Sequence, residues 1–391
     1  MKLGEAVQFV DGDRGENYPQ NHELLKREYC LFLNTKNVPS TSFYFSNSDN
    51  QFITREKDER LRKGKLLRGD FVLTTRGTVG NFGHYNDEIP YENVRVNSGM
   101  VIIRNKDTVV DPEYFKHYLA SKDFNYQVSA LVSGSAQPQL PIRDLSQFII
   151  NLPPLDIQKQ IASTLSAFND KIEVNNQIAK TLEEMTQAIF KEWFVKIKFP
   201  GHEKVRMVNS ELGKIPEGWV VKPVDELVKR VAIGKKYDSK SVLTRGNVPV
   251  LDQGKSGIIG YHNNSPDVEA SENNPAIVFA NHTCYQNLVM YPFSAIQNVI
   301  PYYPSKEYYR NIFWLYFATF GLVKFNDYKG HWPEFASKRI MLPVSDLCEQ
   351  FGNLAKPILI KKYRLINQEN QKLAEMRDLL LPKLMRGEVR V

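Results

Sequence analysis

From residue 161 onward, apolar side chains recur in alternating steps of four and three. They run through Ile161, Leu165, Phe168 and Ile172, then Asn175, Ala179, Leu182, Thr186, Ile189 and Trp193. Polar and charged residues fill the positions between. This heptad spacing predicts a helix that packs lengthwise on a partner through one narrow seam. A second seam runs through Leu359, Tyr363, Ile366, Asn370, Leu373, Arg377, Leu380 and Leu384. At 1.5 Å per residue, a helix of ~40 residues is ~60 Å long. A one-sided stripe of that length needs cover, and the second copy in the same chain supplies it, in an antiparallel arrangement. Pro357 falls in the early part of the second seam, where it should kink or split the helix. Each seam also holds one asparagine, Asn175 and Asn370. These either fix register, as buried polar seam residues do, or sit at a solvated edge.

The two helical segments are copies. LPPLDIQKQI (152–161) aligns with LPVSDLCEQF (342–351), and NQIAKTLEEM (176–185) aligns with NQENQKLAEM (367–376). Identities at Pro, Asp, Asn and Gln positions, in order, mark an internal duplication rather than two unrelated amphipathic helices. Ahead of each copy lie short apolar runs punctuated by Gly, Asn and Pro. DFVLTT (70–75) and MVIIR (100–104) precede the first, NPAIVFAN (274–281) and NVIPYYP (298–304) the second. These predict strands. DPEYFKHYLAS (111–121) and SKEYYRNIFWLYFATF (305–320) then predict a short helix in each half. The fold class is therefore mixed, α+β: two pseudo-symmetric α/β bodies separated by two long antiparallel helices that form a coiled-coil spacer. The expected divisions are a first body at 1–150, a central long helix at 151–197 and a polar linker at 198–214. A second body at 215–341 and a C-terminal long helix at 342–391 follow. The second body opens with IPEGW (215–219), whereas the first opens at KLGEAV and lacks the Gly-Trp, so its start reads as clipped by several residues. The bodies resemble each other far less than the helices do, as expected if each presents a different surface.

Composition adds constraints. Two or more domains suit 391 residues. Three cysteines far apart form neither a metal-ligand spacing nor a disulfide framework, which points to a reducing cytoplasm. The opening MKLGEAVQFVDGD does not read as a signal peptide, and no apolar run is long enough to span a membrane. A net charge of +7 permits a polyanionic partner without requiring one. Catalytic patterns fail on inspection. GKS at 254–256 has Pro249 where a phosphate-binding loop needs its first glycine. RGTVGNFG (76–83) lacks dinucleotide-site spacing, and NLPP (151–154) has no aromatic after it. PDVEA (266–270) has no lysine at nuclease spacing, and the seven histidines form no zinc pair. The chain reads as non-catalytic.

Polar loops suited to reading bases are better supported. They combine Gly or Ser with Arg, Lys, Asn, Gln or His, the side chains that pair with base edges and phosphates. In the first half the candidates are Arg14, Lys36, Arg76, Thr78, Ser135 and Gln137. In the second they are Lys235, Lys236, Lys255, Asn281, His282, His331 and Trp332. Arg76 and the Asn281–His282 pair occupy equivalent places, just after a buried strand. For any one of these residues a solvated loop is the more ordinary reading; as a set repeated in both halves they favour recognition.

Taken together, these motifs resemble the specificity subunit of type I restriction–modification systems. The resemblance rests on the paired LPPLDIQKQI-like blocks, the EGW opening, TTRGTVGN, SGSAQPQL and the terminal LAEMRDLLLPKLMRGEVRV, and it covers essentially the whole chain. It implies two target-recognition domains, each reading one half of a split DNA sequence. It also implies a subunit with no catalysis of its own. Two modification subunits would carry S-adenosylmethionine and methylate adenine N6, and restriction subunits would use ATP and Mg²⁺ to translocate and cut DNA. Helix faces outside the seam would dock the modification subunits. Phe190, Trp193 and Phe194 are candidates for that role, with core packing as the alternative. Two other readings stay open: a coiled-coil adaptor without DNA specificity, and a nuclease with an unrecognised site.

Overall fold

The computed structural model describes residues 1–106, 109–132, 138–234, 237–254, 257–308, 310–327 and 329–389. The chain divides into two compact units, Met1–Glu173 with Gln371–Val391, and Val174–Asn370. The divide falls inside both long helices, so each unit takes part of each helix.

The first unit contains β1 (Val7–Asp11), β2 (Cys30–Leu33), β3 (Phe52–Ile53), β4 (Phe71–Thr74), β5 (Phe82–His84), β6 (Val94–Val96) and β7 (Met100–Asn105). An antiparallel sheet runs β1-β7-β4-β5. A smaller sheet runs β3-β2-β6, with β2 and β6 parallel. The strands are apolar on both faces because each face meets a separate core. Alternate residues of a strand point to opposite sides. Thus Phe71, Leu73, Val101 and Ile103 face the helices, among them Tyr114, Phe115, Ile161 and Leu165. Val72, Met100 and Ile102 face the small sheet through Leu31, Leu33, Val94 and Val96. The helix Pro112–Ala120 starts where the sequence predicts, with the Asp111 carboxylate accepting from Tyr114 N.

The second unit contains β8 (Met207–Ser210), β9 (Gly213–Pro216), β10 (Val220–Pro223), β11 (Val228–Arg230), β12 (Val248–Leu251) and β13 (Ile258–His262). It continues with β14 (Ala276–Ala280), β15 (Gln286–Val289), β16 (Ser294–Ala295), β17 (Val299–Pro304) and β18 (Arg339–Leu342). Its main sheet runs β11-β17-β14-β15 and its small sheet β13-β12-β16, with β12 and β16 parallel. Strand for strand, this is the topology of the first unit. Here too the faces split: Ile277 and Phe279 meet the helical core, while Ala276, Val278 and Val299 meet the small sheet.

Two local expectations change. The helix read over 305–320 begins at Ile312, because the Asn311 side chain accepts from Phe313 N and so caps it there. The segment read as a polar linker is folded. Strand β8 lies within it and forms a hairpin with β9, which runs past its end, and Phe199 stacks on Trp219 at 5.6 Å.

The first long helix, Leu155–Phe190, is 36 residues and continues into a five-residue π turn, Lys191–Val195. The second runs Ser345–Arg364, passes a π turn at Leu365–Glu369, and continues through Asn370–Met385. Pro357 does not split it. Pro357 and Asn353, whose carbonyl lost its helical donor, both lie on the exposed face, where water can serve that carbonyl. Both predicted seams are buried or half-buried at every position. Within the second unit, Phe190 and Phe194 near the end of the first helix meet Phe351 near the start of the second. Further along, Glu183 pairs with Lys362 at 2.8 Å, and Asn175 Nδ2 donates to Asn370 Oδ1 at 2.9 Å. This order is antiparallel. Within the first unit the same sense holds: Arg377 Nη1 donates to Asn169 Oδ1 at 2.7 Å, and Ile161 and Leu165 share a core with Leu381 and Leu384. The two seam asparagines therefore bond to each other, and neither is a solvated edge residue.

Candidate nucleic-acid interface

In the first unit β1 and β4 both run antiparallel to β7, and β6 turns directly into β7. β2 runs parallel to β6. The loops that follow β1, β2, β4 and β6 are therefore gathered at one edge, around the start of β7. Backbone bonds tie them together: Asn97 N to the Leu33 carbonyl (3.2 Å), Thr75 N to Gly99 (2.8 Å) and Leu140 N to Thr75 (3.0 Å). Gly12 presses so closely on this cluster that a Cβ there would lie 2.4 Å from the Asn97 carbonyl oxygen. Asp13 accepts from Gly15 N and from Arg62 N, and these backbone donors, that of Gly15 foremost, hold its carboxyl below the usual range.

Segments distant in sequence thus line one open concavity of about 300 Å³, which includes Asp11, Arg14, Thr75, Arg76 and Gln139. Arg76 is exposed and forms a β-bridge with Gln139. Arg14 pairs with Asp11 at 3.1 Å. An exposed pair of this kind is worth only ~0–1 kcal/mol, so Arg14 can exchange Asp11 for an incoming acceptor at small cost. Guanidinium groups match the acceptor edge of guanine or a phosphate, and a glutamine amide matches adenine. Thr78 is exposed beside them, its carbonyl taken by the Thr74 hydroxyl. Lys36 lies on the loop after β2, exposed, and pairs with Asp49 at 3.1 Å. Gln139, from the SGSAQPQL segment, joins the candidates here through its bridge to Arg76. Ser135 and Gln137 lie outside the described residues, as do Lys235, Lys236 and Lys255.

The second unit repeats the arrangement with different side chains. Asn281 N donates to the Asn298 carbonyl at 2.8 Å, one residue past β14 and one before β17. Thr75 and Gly99 stand at the same places relative to β4 and β7. Arg76 therefore corresponds to His282. Likewise His331 N donates to the Asn281 carbonyl at 2.8 Å where Leu140 N donates to Thr75. His331 thus takes the place of a buried leucine.

This correspondence distinguishes the second-unit candidates from one another. His331 is 0% exposed, so it cannot reach a base from this position. The Asn281 side chain accepts from Trp332 N at 2.8 Å and holds the start of the helix Trp332–Ser337. Trp332 is half-buried against Phe279, Tyr302 and Phe335. Its ring carries the Arg230 guanidinium 5.1 Å from the centroid, and Arg230 is a surface cation that sequence reading missed. His282 is half-buried, with its backbone N bonded to Gln253 Oε1 at 2.9 Å. Phe190, Trp193 and Phe194 pack into the unit's own core; Phe194 is 4% exposed and touches Phe351, Trp219 and Trp314. Phe190 and Trp193 are half-buried, so both pack on this core and keep part of their surface accessible. Among the described residues, no group of three or more His, Cys, Asp or Glu is placed to hold a metal ion. Among the same residues no helix is long and apolar enough to cross a membrane.

Residues 20–184 match the family model described as the type I restriction modification DNA specificity domain. This segment of the chain belongs to that family. It contains the whole β4–β7 edge, Arg76 and Gln139. Over 92% of its length the chain is 25% identical to the type I restriction enzyme MjaIX specificity subunit of Methanocaldococcus jannaschii, covering 87% of that protein. It is 31% identical over 230 residues to the MjaVIII specificity subunit of the same organism, spanning 58% of this chain and 48% of that one. The crystal structure of a type I restriction–modification S subunit from M. genitalium aligns with 98% of this chain and 95% of its own. The TM-score is 0.51 at 15% identity, a likeness of fold. DNA specificity is the task of the domain, and the loop edge is the part of the first unit whose exposed donors suit it.

Proposed function

We propose that this chain is the DNA-recognition subunit of a type I restriction–modification complex, each unit reading one half of a bipartite, asymmetric target. The carrying observation is the strand-for-strand duplication of the two units with unlike side chains at matching loop positions. Arg76 stands opposite His282 in this comparison, and Gln139 opposite Gly330. Duplicated scaffolds with different readers give a two-part target whose halves differ. The pseudo-symmetric helices suit two identical modification subunits, which would supply S-adenosylmethionine and the methylation of adenine N6. Restriction subunits would supply ATP- and Mg²⁺-dependent translocation and cleavage. The chain itself contributes recognition and assembly, in the cytoplasm beside the DNA. Methylome sequencing of the host with and without the gene tests this. One split, asymmetric adenine-methylated sequence should vanish on deletion; an unchanged methylome overturns the proposal.

A further inference from the structure

We infer that Phe325 is a wedge that stacks against, and partly unstacks, one base step of the duplex read by the second unit. The inference rests on the DNA-reading proposal and adds a contact and a DNA distortion to it.

Phe325 lies in the segment between Gly321 and Gly330, which leads into His331 at the loop edge. It is 57% exposed, the most exposed phenylalanine among the described residues. Nothing in the core requires a ring there, yet the backbone around it is anchored on both sides. Two residues earlier, Val323 is buried in the unit's main core. Two residues later, the Asp327 carbonyl lies 3.0 Å from His331 Nε2. His331 is itself fixed by the bond from its backbone N to Asn281, and its imidazole meets the Phe325 ring edge-on at 6.3 Å. A buried histidine in the place of Leu140 thus acts as a mount. It supplies a polar bond to the loop, which a leucine could not, and an edge for the exposed ring.

The surroundings are cationic. Lys324 and Lys329 are exposed on either side, and the Arg230 guanidinium lies over Trp332, next in the chain to His331. Of the nearby acids, Glu334 is neutralised by Lys338 at 3.2 Å, leaving Asp327. An apolar ring between lysines, on a braced loop, matches the chemistry of a base face flanked by phosphates. Apolar side chains placed between base steps unstack them and kink the duplex, and aromatic–base stacking tolerates any base.

The test uses the purified full-length chain and a library of randomised duplexes, with selection followed by footprinting of the enriched DNA. Permanganate reports unstacked thymines and diethyl pyrocarbonate unstacked purines. The wild-type complex should show one hyperreactive step within a single half-site. Phe325→Ala should return that step to the reactivity of free duplex and weaken binding by about 5- to 150-fold, the range for one base–aromatic stack. Phe325→Trp should keep both properties. Because the ring is exposed, all three proteins should melt alike. Selective enrichment with unchanged affinity and reactivity in Phe325→Ala overturns the wedge and leaves the recognition proposal standing. Failure of the wild-type chain to enrich any sequence overturns both.

Discussion

The Asn175–Asn370 bond makes a quantitative prediction about the helix pair. Asn175 is 0% exposed and Asn370 9%. Asn175 Nδ2 donates to Asn370 Oδ1 and Asn370 Nδ2 to Asn176 Oδ1, both at 2.9 Å, while Asn175 Oδ1 is buried without a hydrogen-bond partner. Replacing Asn175 alone with leucine removes a bond worth ~0.5–1.5 kcal/mol and strands the buried Asn370 oxygen at a further ~1–3 kcal/mol. Leucine burial, ~1.5–3 kcal/mol at best, offsets part of this. Removal of the orphaned Asn175 oxygen offsets more, so this variant should stay within about 1 kcal/mol of the wild type, whereas Asn370→Leu, which strands the buried Asn175 amide and keeps that orphan, should lose roughly 1 kcal/mol. In Asn175→Leu/Asn370→Leu no seam amide is stranded, Asn176 is exposed and turns to water, and the orphaned Asn175 oxygen is gone. The double variant should match or exceed the wild type in stability, so the two sites should couple by about 1 kcal/mol or more. The assay is unusually selective, because all four tryptophans (Trp193, Trp219, Trp314 and Trp332) lie in the second unit with both asparagines. Urea unfolding followed by tryptophan fluorescence therefore reports that unit. Additive single effects would show that the amides do not hold each other in the seam. If the coupling is found, the asparagines cost stability and are best understood as fixing helix register.

Two further outcomes follow from the first unit. Arg76→Ala should relax one half-site and spare the other, at ~1–3 kcal/mol for a bidentate base contact; equal weakening on all sequences in a binding selection would make Arg76 a phosphate contact. His117 is buried beside Ser166 on the long helix, and burial lowers its pKa to about 4 from 6.5. A base whose folded pKa is depressed contributes full stability above pH 6.5 and loses it as pH falls toward about 4. The loss is roughly 3 kcal/mol across that window. His117→Phe should flatten the acid limb of a circular-dichroism stability profile, and an unchanged slope would refute the assignment.

How much of this was legible in the chain depends on which physical signal each feature carries. The seam was legible residue by residue, since packing two helices lengthwise imposes one period and one face. That the bodies are paired was legible too, from their shared order of elements, but the strand-by-strand equivalence was not. Strands such as β4 and β14 are buried on both faces, so any apolar residue serves and FVLT and AIVFA need share nothing. Only the register of the ladders exposes their equivalence. The loop residues failed differently. Arg14 and Lys36 remain available because their pairs with Asp11 and Asp49 are exposed and exchange at small cost, and Arg76 and Thr78 because they are exposed on the loop. Asn281 and His331 have the same reading chemistry, but the Asn281 Oδ1 is engaged at the start of a helix and His331 Nε2 in bracing a loop. Asparagine and histidine compete well for backbone groups, so residue type alone cannot separate a reader from a brace. Phe325 is the converse case. A phenylalanine in a sequence reads as core, and only its exposure on a doubly anchored backbone turns it into a candidate contact. The sequence therefore reveals the scaffold where a period repeats, whereas the reading surface emerges only once the hydrogen bonds have been allotted and the unspent groups remain.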